Sequence, residues 1–142
     1  MTYKIEVIIL PVSDVDRALA FYTEKAGFTL DVDYQPSDDF RVAQLTPPGS
    51  GCSVQIGIGL TDAVPGSMRG IYAVVEDLQA VRYELTNRGV NVSAIRHKSP
   101  TDDWRGGWEA GLDPNRSDYA SFADFTDPDG NQWVLQERGF RS

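Results

Sequence analysis

Hydrophobic residues recur along this chain with two periods, and the switch from one to the other happens twice. Val15, Ala18, Leu19, Tyr22 and Ala26 fall at i, i+3, i+4, i+7 and i+11, one apolar stripe that predicts a helix. Ser13, with Asp16 three residues on, predicts a capping-box start, and Gly27 a carboxyl-terminal stop. Leu78, Val81 and Leu85 predict a second helix, ended by Gly89. After each helix the period drops towards two. Extended runs are expected at Thr29–Tyr34, Phe40–Thr46 and Cys52–Ile58, then at Val90–Ile95, Tyr119–Phe125 and Gln132–Arg138.

The two series form an internal repeat. "PVSDVDRALAFYTEKAGFTLDV" is echoed by "AVVEDLQAVRYELTNRGVNVSA", with Asp14 matching Asp77, Gly27 matching Gly89, and one extra residue in the first copy. Each copy reads strand–helix–strand–strand–strand, an α+β pattern. A half of about 65 residues buries little surface alone, so the two βαβββ modules, about 1–62 and 66–140, are expected to share one domain spanning 1–140. A polar, Gly/Pro-rich stretch at 96–117 interrupts the second module and reads as a long loop. The last two strands flank "DPDGN", where Pro128 presets φ, Gly130 tolerates positive φ, and Asp129 and Asn131 bond neighbouring backbone: a hairpin turn.

Composition narrows the function. With 142 residues, 41% hydrophobic and 24% charged, the chain reads as an ordinary globular protein. No apolar run reaches a membrane-helix length of roughly 18 residues, and "MTYKIEVIIL" lacks signal-peptide features. A single cysteine, Cys52, cannot form an internal disulfide, so the cytoplasm is the expected compartment. A net charge of −8 argues against nucleic acid as a partner and is compatible with a cationic small molecule or with simple solubility.

The βαβββ repeat, the opening "LPVSDVDRALAFY" and the closing "DPDGNQW" together resemble the vicinal oxygen chelate superfamily, which holds glyoxalase I, the bleomycin-resistance proteins and the extradiol dioxygenases. The resemblance spans essentially the whole chain. It implies modules whose mixed sheet curves around a cavity, commonly in a homodimer. In the metal-dependent members, strands lining that cavity supply His and Glu ligands. The positions of this sequence that match them are Val7, Gln55, Gly70 and Val134, of which only Gln55 carries a donor atom. A neutral amide is a poor sole anchor for a transition metal, so neither metal nor other cofactor is expected.

Alternation assigns the faces. Val54 and Ile56 suit the helix side, leaving Gln55 facing the cavity, and Ile71, Ala73 and Val75 leave Tyr72 and Val74 there. Trp133 and Leu135 likewise leave Gln132, Val134 and Gln136 on the cavity side. In this register Glu6 and Glu137 read as solvated strand-edge charges. Trp104 and Trp108, in the glycine-rich "DWRGGWEAG", are expected either to cover a flat apolar ligand or to form a satellite core. Arg105 between them reads as a solvated charge or a partner for a ligand carboxylate. Cys52 reads as a small buried hydrophobe. His97, expected just past the sixth strand, and Tyr72 are the only candidates for acid–base work.

Three functions stay open on this basis. One is a small-molecule binder with ligand contacts at Val7, Gln55, Tyr72, Trp104, Trp108, Gln132 and Val134, serving sequestration or resistance. Another is a lyase, isomerase or dioxygenase with unorthodox ligands or metal-free chemistry. The third is a non-catalytic structural or regulatory dimer.

Overall fold

Each helix begins on an aspartate. The Asp14 carboxylate accepts the Arg17 backbone N–H at 3.0 Å to cap α1 (Val15–Ala20), and Asp77 accepts the Ala80 N–H at 3.0 Å to cap α2 (Leu78–Asn87). A side-chain acceptor there satisfies one of the four N–H groups that a helix start leaves open. The first cap is therefore Asp14 and not the expected Ser13, whose N–H and hydroxyl go instead to the Asp129 carboxylate. The extra residue of the first copy also has a structural expression. Beyond Ala20 the helix widens into a π turn, Phe21–Lys25, in which the Ala26 N–H donates at 3.0 Å to the Phe21 carbonyl five residues back. One π turn absorbs one residue more than an α turn.

The computed structural model describes residues 1–100 and 105–142, and these form two compact units. The first comprises Met1–Met68 with Asp127–Asn131, and the second Arg69–Thr126 with Gln132–Ser142. Together they hold two sheets of mixed strands and two short helices, an α+β fold.

In the first unit, β1 (Val7–Ile9), β2 (Thr29–Ser37), β3 (Phe40–Thr46) and β4 (Ser53–Ile58) lie in the order β1-β4-β3-β2, with β1 parallel to β4 and the other pairs antiparallel. Ala43, Leu45, Val54 and Ile56 are buried on one face, and Val15, Ala18 and Tyr22 of the α1 segment are buried as well. Each such side chain removed from water contributes about 1.5–3 kcal/mol for the larger aliphatics. Close approach explains one glycine here, since a Cβ on Gly57 would stand 1.8 Å from the Arg41 carbonyl oxygen. The edge strand β2 is exposed along its whole length, and two register shifts with Asp31, Asp33 and Pro36 make it a poor template for further pairing.

The closing turn belongs to this unit. Asp127 is buried, and its Oδ1 accepts the N–H groups of Asp129, Gly130 and Asn131 at 3.0, 3.0 and 2.9 Å. Its Oδ2 accepts the Tyr22 hydroxyl and the Asn131 side-chain amide, both at 2.8 Å. Asn131 also donates to the Pro11 carbonyl at 2.8 Å and accepts the Met68 N–H at 3.1 Å. The opening and closing motifs of the sequence are thus two halves of one hydrogen-bond network.

In the second unit, β5 (Ile71–Val75), β6 (Arg96–Ser99), β7 (Gly107–Ala110), β8 (Ser121–Thr126) and β9 (Gln132–Glu137) lie in the order β5-β9-β8-β6-β7. Only the β5–β9 pair is parallel. Helix α2 packs on β8 and β9, over the stacked rings of Phe125 and Trp133, whose planes lie 2° apart at 6.0 Å.

Four expectations for this unit need correction. Residues 90–95 are not a strand; the sixth strand starts at Arg96, and within the expected loop at 96–117 β6 pairs antiparallel with β7. His97 therefore sits within a strand and is buried, not exposed at a loop start. Glu137, expected to be a solvated charge, is fully buried. Its carboxylate accepts the Leu78 N–H at 2.9 Å at the start of α2 and both Nε (3.0 Å) and Nη2 (2.6 Å) of Arg116. A paired carboxylate beside the positive end of a helix is one of the few charged groups a core tolerates. This pairing holds the Arg116 guanidinium above its usual pKa. Glu6 is exposed, as read from the sequence, whereas Cys52 is only half-buried and precedes β4.

Candidate functional site

The face of the second sheet opposite α2 gathers most of the residues singled out from alternation. Register pairs Tyr72 with Val134 and Val134 with Asp124, and in the next row Val74 with Gln136, Gln136 with Phe122, and Phe122 with Arg96. Lys98 pairs with Trp108 at the far edge. Because side chains alternate, all of these share one face. Tyr72, Trp108, Gln132 and Val134, four of the expected ligand contacts, are therefore brought to a single surface. Tyr72 and Trp108 stand on opposite edge strands, four strand spacings apart and in different rows. Tyr72 is 58% and Trp108 47% exposed, whereas Val134 and Phe122 between them are buried.

The Trp108 end is the more elaborate. Its indole meets Phe122 edge-to-face at 5.0 Å, and the Arg96 guanidinium and Lys98 ammonium lie over the ring at 4.6 and 4.2 Å from its centroid. Arg96 is paired with Asp124 at 3.0 Å, which fixes its plane. Trp108 stands on a strand, not in a loop, and Arg96 and Lys98 escaped the sequence reading for the same reason. In "RHKS" they sit at i and i+2, a signal that appears only once the segment is read as extended. At the other end the Gln132 carboxamide accepts the Gly70 N–H at 3.2 Å and so holds the chain entering β5.

The remaining expected residues fall elsewhere. Val7 and Gln55 share the open face of the first sheet, where Val7 pairs with Ser53 and the Gln55 amide donates to Gln44 at 3.1 Å. His97 points to the face opposite Trp108. Its Nδ1 lies 2.8 Å from the Gly111 carbonyl, which can only accept, so Nδ1 carries a proton, and its Nε2 is 3.4 Å from Glu109. That geometry ties β6 and β7 to the residues that follow them. Trp104 lies outside the described residues.

A family model described as the Glyoxalase/Bleomycin resistance protein/Dioxygenase superfamily matches residues 4–135. The chain belongs to this superfamily. Solved structures similar to it include TnmS3, an antibiotic binding protein from Streptomyces sp. CB03234, at 29% identity and a TM-score of 0.71, with 96% of this chain and 97% of that one covered. A glyoxalase/bleomycin resistance protein from the same Streptomyces is 30% identical with a TM-score of 0.69, covering 94% of this chain and all of that one. A superfamily member from Sphaerobacter thermophilus DSM 20745 is 26% identical with a TM-score of 0.71, covering 96% and 98%. A search of curated proteins found no match.

Membership in the superfamily raises the question of a metal, and the residues answer it on their own chemistry. Of Val7, Gln55, Gly70 and Val134, only Gln55 has a donor atom, and its amide is engaged with Gln44. Among the described residues no three His, Cys, Asp or Glu side chains stand close enough to hold an ion. A hard or borderline cation needs several oxygen, nitrogen or thiolate donors converging on one point, so these positions do not fit one.

Proposed function

We propose that this member of the superfamily binds a flat, largely apolar organic molecule on the open face of the second sheet and sequesters it without transforming it. One observation carries the reading: a half-exposed indole, Trp108, in contact with Phe122, Arg96 and Lys98, on the sheet face that also carries Gln136 and, at its other end, Gln132. A rigid aromatic surface with a few fixed polar groups around it is what a small-molecule site requires, because the ring supplies area at little entropic cost and the polar groups set orientation. Similarity to an antibiotic binding protein supports binding of a small organic molecule. In this reading the site uses no metal, Val7 and Gln55 line a corresponding face of the first sheet, and the protein acts as a cytoplasmic homodimer.

Titration calorimetry with a panel of polycyclic aromatic antibiotics, on chelator-treated protein, tests the proposal. Binding is expected with the ligand recovered unchanged, and Trp108→Ala should weaken it by at least about tenfold, the loss of one aromatic contact and of the order it gives Arg96 and Lys98. Chemical conversion of the ligand, or binding that disappears on chelation, would sink the proposal.

A further inference from the structure

Resting on that reading, we infer that the ligand carries a negative charge: the Trp108–Lys98–Arg96 cluster is built for an aromatic acid or phenolate, not for a cation. Trp108 already has two cations over its ring, Arg96 at 4.6 Å and Lys98 at 4.2 Å. The negative face of the indole is therefore in use, and a cationic ligand would meet like charge where it would otherwise gain a cation–π contact. The two cations are not equivalent. Arg96 is neutralised by Asp124, at 3.0 Å in the ion pair and 3.1 Å in the hydrogen bond from Nη2.

Lys98 has only a long contact from Nζ to the Gly106 carbonyl, 3.5 Å, and among the described residues no carboxylate pairs with it. An ammonium carries three donors and no acceptor, so its unmet capacity calls for an anionic oxygen beside the ring it covers. Because Lys98 and Trp108 are cross-strand partners, a flat ligand lying against the edge of this cluster brings a substituent to the ammonium. The net charge of −8 does not reverse this preference. At physiological salt, charges more than about 8 Å away are screened, while Lys98 would be in contact.

Three probes of one shape decide it: 9-anthracenecarboxylate, 9-anthracenemethanol and 9-anthracenemethylammonium, titrated calorimetrically at neutral pH in about 0.15 M salt. The acid is expected to bind about fivefold or more tighter than the amine, the range of a partly exposed ion pair. Lys98→Gln should erase the advantage of the acid over the alcohol, and Lys98→Arg should keep it. An amine that binds as well as the acid overturns the inference, as does a preference that survives Lys98→Gln. If the alcohol binds in a Trp108-dependent way with no charge preference, the binding face stands and the charge assignment falls. If none of the three binds, or Trp108→Ala changes nothing, both fall.

Discussion

Replacing Tyr22 by phenylalanine removes one oxygen from a side chain that is fully buried. The ring keeps its edge-to-face contact with Phe21 at 5.1 Å and its tilted contact with Phe28 at 5.2 Å, so the hydrophobic contribution is unchanged and no cavity opens. What disappears is the 2.8 Å hydrogen bond from the hydroxyl to Oδ2 of Asp127. A hydrogen bond to a charged group nets about 1.5–3 kcal/mol, against about 1 kcal/mol for a neutral pair. Oδ2 retains the Asn131 amide as a donor, and Oδ1 keeps its three backbone donors. The loss should therefore sit in the lower part of that range, about 2 kcal/mol.

With a urea dependence of about 2 kcal/mol/M for a protein of this size, the unfolding midpoint should drop by about 1 M. Urea titration followed by far-ultraviolet circular dichroism reads this directly. Tyr34→Phe is the control, because that ring is 56% exposed and the same deletion there should stay within about 0.5 kcal/mol of the parent. A Tyr22→Phe midpoint indistinguishable from the control would refute the claim that Asp127 organises the first unit through its hydrogen bonds.

Two further outcomes can be stated. Arg116→Met leaves Glu137 buried without its guanidinium, keeping the Leu78 N–H; breaking one side of a buried pair should cost about 3 kcal/mol, seen as a lower unfolding midpoint, and no change would mean the pair is ornamental. The second concerns pH. Hydrogen bonds from Arg41 hold the Asp33 carboxyl below its ordinary pKa, so the unfolded chain takes up that proton first as pH falls. The contribution is complete above about pH 4 and is lost as pH drops through the depressed folded value. Unfolding midpoints compared at pH 5 and pH 3 should show a shallower acid loss in Arg41→Met than in the parent.

Much of this architecture is written in local pattern. The alternation in "CSVQIGIG" places Val54 and Ile56 inside and Gln55 on the other face because period two admits only one register once a helix covers one side. The repeated aspartate and glycine around each helix are legible for the same local reason, though Ser13 and Asp14 compete for the cap and only the position of Asp129 decides between them.

What escaped depends on distant partners. β6 and β7 are four residues each, β6 has no apolar residue and β7 only Trp108 and Ala110 on one face, too short a pattern to announce a strand. Glu137 looks like a surface charge until Arg116, far back along the chain, is seen to reach it from a left-handed backbone with φ +48. Arg96 and Lys98 at Trp108 were hidden behind the missed strand pair, and with them the most chemically distinctive part of the site.

The placement of Asp127–Asn131 bears on how the molecule is made. A ribosome releases the chain from its amino end, yet the carboxylate that gathers Tyr22, and the amide that holds Pro11, emerge 105 and 120 residues after the groups they bind. The first unit must wait, incomplete, for a five-residue insert encoded after most of the second.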